Sequence, residues 1–265
     1  MKLYIHPEGG IAGDMFAAAL IDAGANAEKV TGAMQAAAEK LGRASVRHVK
    51  TSDECSRLYI LVEHHHGHLS SSKAIHILEH LFDEFKITKE YRDFGHRVLD
   101  HLIKAEKEAH ATFDFNMSDH HGHQHFSGDK SHHHHDEEPE AWLHEAQDIL
   151  IDIMGAVMGL QQLSAPVKAQ LTCPVSWGGG SISFSHGTLS VPAPATEVMI
   201  KQNGIPSIAG PIPTELFTPT GAAVLSALSA MEVVSEPSDK KPIAQGCSRG
   251  TKDLPVIPLR VAIYE

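Results

Sequence analysis

His144, Asp148 and Asp152 stand four residues apart in the stretch Trp142 to Leu160, WLHEAQDILIDIMGAVMGL. On a helix that spacing stacks them along one face, a turn apart, with Glu145 beside them. The remainder is apolar almost all round: Ile149, Leu150, Ile151, Ile153, Met154, Val157, Met158 and Leu160. Such a helix is normally buried. A buried charge must be paired, hydrogen-bonded or bound to a metal, and an imidazole with carboxylates on one face is a donor set for a divalent cation. Gly155 and Gly159 continue near the stripe and leave room for a close approach. Two structural readings compete: Asp148 as an acid favoured by the helix dipole in a first turn, and Asp152 paired with a distant arginine.

A second acid sits near the start. Leu3 to His6 reads as a short strand, Pro7-Glu8-Gly9-Gly10 as a turn, and Ile11 to Ala23 as a helix stopped by Gly24. Gly10, Gly13 and Asp14 lie at the junction, where backbone N–H groups can receive an anion. The pattern is neither a Walker A loop nor G-x-G-x-x-G. A tight turn that needs glycine, with Asp14 against the helix start, is the plainer reading.

Histidine is the compositional anomaly, with 21 in 265 residues. Two tracts concentrate it: His64, His65, His66 and His68, then His120, His121, His123 and His125 with His132, His133, His134 and His135. Neutral imidazole suits nickel, zinc and copper. Neither tract has the fixed spacing of a structural zinc site. Both fit loose capture, storage or delivery of metal better than catalysis. Residues 118 to 138 hold Gly, Ser and Asp among the histidines with no apolar period, and are expected to form a disordered loop. No catalytic triad is legible: Ser185-His186 and the cysteines lack partners by spacing. Trp177 and the prolines of VPAPAT are expected to shape a groove.

The formal charge of −11 argues against nucleic acid as a partner. Cys55, Cys173 and Cys247 are odd in number and far apart, which opposes a disulfide framework and points to a reducing compartment. No apolar run reaches the ~18 residues that span a bilayer, and MKLYIHPEGG lacks the apolar core of a signal peptide. A cytoplasmic protein without membrane association is expected.

Further helices are predicted over Ala27–Leu41, Ser70–Phe85 and Thr88–His110, at Glu197–Lys201, and after a Thr218-Pro219 cap over Ala222–Met231. Strands are predicted at Leu58–Glu63, Val167–Cys173, Ser181–Ser185 and Val256–Tyr264, with Gly178-Gly179-Gly180 as a hairpin-like turn. The irregular alternation favours a mixed α/β or α+β architecture. The expected division is 1–117, the His-rich loop 118–138, and 139–265, the two outer parts forming one domain or two.

Several of these segments resemble one family in the same order. GIAGDM resembles its S-G-I-S-G-D-M, and HHHGHLSSSKAIHIL its polyhistidine stretch and serine-capped helix. AEKEAH resembles A-E-A-x-V-H, and LHEAQDILIDIMGA resembles H-E-V-G-A-V-D-S-I-V-D-I-V-G-A. SHGTLSVPAPAT, ELFTPTGAAVLSAL and GCSRGTKDLP resemble A-H-G-x-L-P-V-P-A-P-A-T, E-L-V-T-P-T-G-A-A-L-L and G-x-G-A-G-T-x-D-L-P. On these motifs the chain resembles LarC, the nickel-insertion protein of the nickel-pincer nucleotide cofactor, nearly from end to end. The resemblance implies insertion of nickel into a pyridinium mononucleotide with two thiocarboxylates, dependent on CTP and a further divalent metal, Mn or Mg. It implies that Asp14, Glu145, Asp148 and Asp152 carry the chemistry, that Gly10 and Gly13 contact the nucleotide, and that His144 joins the two tracts as a metal ligand. The chain departs from the pattern at His6, where the family has aspartate, at Glu8-Gly9, and in a shortened H-E-A-Q-D. Most such proteins continue into a further domain, so a separately made C-terminal half is an implied partner. The alternative expectation is a nickel or zinc carrier without turnover.

Overall fold

The computed structural model describes residues 1–64, 69–112, 142–143, 148–184 and 187–265, with backbone only at 64, 112, 142, 143, 183, 184 and 187. Its elements begin with β1 (Lys2–His6), α1 (Gly13–Asp22), α2 (Ala27–Glu39), β2 (Gly42–Lys50), β3 (Ser56–His64) and β4 (Leu69–Ser70). Next come α3 (Ser71–Glu84), α4 (Lys89–Thr112), β5 (Trp142–Leu143), α5 (Ile149–Leu163), β6 (Ala169–Leu171) and β7 (Val175–Ser176). The chain closes with β8 (Ser181–Phe184), β9 (Gly187–Ser190), α6 (Pro194–Asn203), β10 (Ser207–Ile208), α7 (Pro219–Ala227), β11 (Ala244–Ser248) and β12 (Leu259–Tyr264).

Six strands form one mixed sheet in the order β2-β3-β11-β12-β1-β6. β1 lies antiparallel to β12 and parallel to β6, so the fold is the expected mixed α/β type. Strands from both ends of the chain alternate in this sheet. β12 is nearly all buried along its length, as an interior strand must be, and Pro258 stands just before it, where no ladder donor is needed. β2 and β3 form a long antiparallel ribbon from Gly42↔His64 to Lys50↔Ser56. β3 meets β11 at a single register pair, Ser248↔Ser56.

The helix α5 is the centre of the helical layer. Every residue from Ile149 to Leu160 is buried, as its all-round apolar sequence requires. Its start differs from expectation. Trp142 and Leu143 are not helical; they pair with Ser70 and Leu69, and the helix begins at Ile149 with Asp148 as its cap residue. Gly155 and Gly159 make room for helices, not for a ligand. A side chain at Gly155 would lie 2.8 Å from Ala17 Cβ and Met34 Sδ, and one at Gly159 2.8 Å from Leu20. These two glycines let α1 and α2 pack closely on α5.

Three further differences have physical causes. Gly178 to Gly180 does not turn a hairpin; the hairpin is β8 with β9, register Ser181↔Ser190, while Gly178 bridges to Gly210 and Glu215. β2 and β11 go unseen in the sequence because GRASVRHVK and AQGCS lack an apolar alternation. Cys55 and Cys247 form a disulfide, Cα–Cα 5.0 Å, across a sequence separation of 192 residues; Cys173 is a free thiol. That bond overturns the expectation of three reduced cysteines, because only the β3–β11 contact brings the two together. Among the described residues no helix is long and apolar enough to cross a membrane.

Candidate functional site

The turn after β1 is fixed by the segment that leads into α7. Gly10 has φ +92 and its N–H donates to the Pro7 carbonyl at 2.9 Å. The Ile11 N–H donates to the Leu216 carbonyl at 2.8 Å, and the Thr218 N–H to the Ile11 carbonyl at 3.2 Å. Gly13 donates its N–H to Thr220 Oγ1 at 3.1 Å. Thr218 caps α7 by accepting from the Gly221 N–H at 3.2 Å, with Pro219 in the first turn. This zipper brings the N-termini of α1 and α7 together, and that of α5 stands behind them. All three border a cleft of about 720 Å³.

Four carboxylates line that cleft: Asp14, Asp148, Asp152 and Glu215. Asp14 lies in the first turn of α1 and accepts the Met15 N–H on Oδ1 at 2.8 Å. Burial pushes its pKa up to about 6, and the charge of Asp148 adds to the rise. Asp152 is only 3% exposed. Burial lifts its pKa well above the usual carboxylate range, the charges of Asp148 and Asp14 raise it further, and a hydrogen bond with Thr220 opposes them. Its Oδ1 is buried without a hydrogen-bond partner. Asp148 is exposed at the cap of α5; its carbonyl accepts the N–H of Asp152 at 3.1 Å, which sets the two acids one turn apart. The positive ends of the helix dipoles make this acid cluster tolerable.

Glu215 was not legible as a site residue. Burial pushes its pKa up to about 7, with only the Lys252 charge opposing, and its Oε1 is buried without a partner. Ile60 and Val62 of β3 and the segment Ser248 to Lys252 also line the cleft. Arg249 is held there by Asp53 (Nε–Oδ2 2.6 Å) and by the Val256 carbonyl (2.9 Å). The cleft thus holds two buried acids with one unsatisfied oxygen each, Asp152 and Glu215, together with the basic residues Arg249 and Lys252. Acids that resist ionisation when empty favour a cation, which restores their charged form; Arg249 and Lys252 suit an anionic group.

The predicted site residues fall into three groups. Asp14, Asp148 and Asp152 meet in the cleft. Gly10 and Gly13 stand beside it and serve close packing: a side chain at Gly10 would lie 2.6 Å from Leu216 Cβ, and the lining residues on that turn are Gly9 and Ala12. Glu145, His144, His65, His66, His68, His120, His121, His123, His125, His132, His133, His134 and His135 lie outside the described residues. His64 ends β3, opposite Gly42. Leu69 and Leu143, which adjoin the tract at 65–68 and the segment at 144–147, are register partners. Among the described residues no three His, Cys, Asp or Glu side chains form a group that could hold a metal ion. The signal for Glu215, Arg249 and Lys252 was present in the motifs ELFTPTG and GCSRGTKDLP, but their burial and convergence are tertiary facts.

A family described as nickel insertion protein matches residues 3–123 and 127–264. The chain belongs to the nickel insertion protein family. A relative from Methanothrix thermoacetophila, provisionally named a nickel insertion protein, is 31% identical over 227 residues, covering 85% of this chain and 49% of the relative. The pyridinium-3,5-bisthiocarboxylic acid mononucleotide nickel insertion proteins of Thermotoga sp. and Geobacillus kaustophilus are 29% and 27% identical. Those alignments cover 85% and 99% of this chain, and 52% and 59% of the relatives. The chain therefore spans about half to three fifths of the length of these family members. No solved structure matches it.

Proposed function

We propose that this chain takes part in nickel insertion into pyridinium-3,5-bisthiocarboxylic acid mononucleotide, in the cytoplasm and together with the C-terminal half that its relatives carry. Family membership directs the reading, and one observation in the molecule carries it: Asp152, whose buried Oδ1 has no hydrogen-bond partner, lines a cleft together with Asp14 and Glu215. A cleft of about 720 Å³ has the size of small-molecule sites and suits a mononucleotide. Arg249 and Lys252 would meet its phosphate or a carboxylate, and Asp14 and Asp152 would share a divalent cation whose remaining ligands come from the substrate and water. Nickel is the cargo here. The sulfurs of the two thiocarboxylates are soft donors that suit it as final ligands. Asp14 and Glu215, with pKa values of about 6 and 7, can take up protons that the substrate gives up and lose them again near neutrality.

A need for CTP with Mn or Mg belongs to the same proposal. The histidine tracts would collect nickel, and β3 joins the wall of the cleft to the first of them. The competing reading is a carrier without turnover, favoured by the twelve tract histidines. The test is nickel insertion by the 265-residue chain with precursor, CTP and Mn or Mg, with and without the C-terminal half of a full-length relative. The expected result is precursor binding by the chain alone and product when the other half is added. A chain that holds nickel but neither binds precursor nor supports product in either mixture is a carrier.

A further inference from the structure

We infer that His6 and Cys173 form a second divalent-metal site, in which one cation is held between an imidazole nitrogen and a thiolate. β1 and β6 are parallel neighbours, so their carboxyl ends lie side by side, a place where sheets of this kind commonly bind ligands. His6 is the last residue of β1 and Cys173 follows β6 by two positions. Cys173 Sγ lies 3.7 Å from His6 Nδ1. Two donors on one tetrahedral metal, at about 2.3 Å for sulfur and 2.0–2.1 Å for nitrogen, stand roughly 3.5 Å apart. The pair is already at that separation. Thr172 Oγ1, 2.7 Å from the same nitrogen, gives way when the metal arrives.

The other ring nitrogen completes the pattern. His6 Nε2 is 3.2 Å from Glu8 Oε2, an acceptor that favours the tautomer with its N–H there, and in that tautomer Nδ1 keeps its lone pair for a metal between it and the sulfur. A carboxylate on the far nitrogen is the usual support of a metal-bound histidine. The nearby guanidinium of Arg260 is bonded to Glu236, so its charge is balanced. His6 and Cys173 are both partly exposed, and neither lines the acidic cleft. Two protein donors leave the rest of the coordination sphere to water or to an incoming ligand. That suits temporary holding of a borderline-soft cation such as nickel, cobalt or zinc. Binding replaces the Cys173 S–H bond by a sulfur–metal bond and releases the proton to solvent. A role on the nickel path rests on the insertion reading; the site itself does not.

The full chain is titrated with cobalt and with nickel to saturation while the thiolate-to-metal charge-transfer absorption is followed. Imidazole sites in the histidine tracts cannot produce that band, and Cys55 and Cys247 are bonded to each other. A band is expected in the parent, absent in Cys173→Ser and Cys173→Ala. In His6→Ala its midpoint should move by at least tenfold, and in Glu8→Gln by about tenfold. Circular dichroism confirms that each variant is folded. No band at any metal ratio, a band that survives Cys173→Ser, an unshifted His6→Ala, or a band that grows with protein concentration as copies bridge would overturn the site. An insertion assay that fails while the band persists rejects the proposed function and leaves this site standing.

Discussion

A side chain built at Gly13 would place its first carbon 2.6 Å from the Cβ of Asp152. The N-terminus of α1 thus rests directly on the acid of α5 that has no hydrogen-bond partner on Oδ1. Gly13→Ala should therefore push Asp152 out of place. Overpacking of this kind costs about 1–3 kcal/mol. Urea unfolding should show that loss, and precursor binding should weaken in the same variant. Unchanged stability and binding would mean that α1 and α5 can separate freely here.

Asp152 and Asp148 test the cleft itself. Asp148→Asn with Asp152→Asn should abolish precursor binding while most bound nickel stays on the chain, because the histidine tracts are untouched. The single Asp152→Asn should also stabilise the protein at neutral pH, since the acid ionises freely in the unfolded chain while burial opposes that ionisation in the folded one. Stability gained where function is lost is the usual trade at a site. Calorimetry and equilibrium dialysis with the precursor and with nickel check both halves.

Much of this cleft could be read from residue types and much could not. Asp14, Asp148 and Asp152 stood out because acids beside an apolar run or a glycine turn need an explanation. Glu215 looked like any loop glutamate, since its strain comes from burial by segments far away in sequence. The same holds for the fold. The burial of α5 followed from apolar residues on every side of one helix. Its first turn did not, because WLHEAQD has helical spacing and only the Leu69↔Leu143 pairing makes Trp142 and Leu143 strand. β11 is AQGCS, with only Ala244 and Cys247 apolar and no alternation to mark it, and its place beside β3 is set by partners at Ser56 and β12.

Glu215 gives a pH dependence with a definite sign. Its folded pKa is about 7 against an ordinary 4.5. The unfolded chain therefore loses this proton first as pH rises, so the folded state is at its most favoured below about 4.5 and loses stability up to about 7. The loss is roughly 3 kcal/mol at most. Glu215→Gln should remove this part of the slope. Parent minus variant, measured by urea unfolding at pH 5 and pH 8, isolates it from Asp14 and Asp152, which act in the same direction. A divalent cation that binds the cleft should flatten the parent's slope.

The Cys55–Cys247 bond closes the chain over 192 residues and joins β3 to β11 beside their one register pair. Replacing both with serine should cost about 2–5 kcal/mol. A strong dithiol reductant should produce a similar drop in the parent and none in the variant. Equal stability of parent and variant under non-reducing conditions would mean that the two thiols are not joined in solution.

The histidine tract between α4 and β5 can be tested by removal. Residues 119 to 137 contain His120, His121, His123, His125 and His132 to His135, eight of the chain's 21 histidines. They lie outside the described residues, and every strand of the sheet and every helix described is built from other parts of the chain. Deleting them should lower the number of nickel ions bound and leave the unfolding temperature nearly unchanged. Precursor binding should also survive, because the acids that line the cleft come from α1, α5 and the segment before α7. If the deletion kept full nickel stoichiometry, metal capture would belong to the other histidines. If it unfolded the protein, the tract would have to contribute to the core, and the separation of a capture segment from a folded cleft would fail.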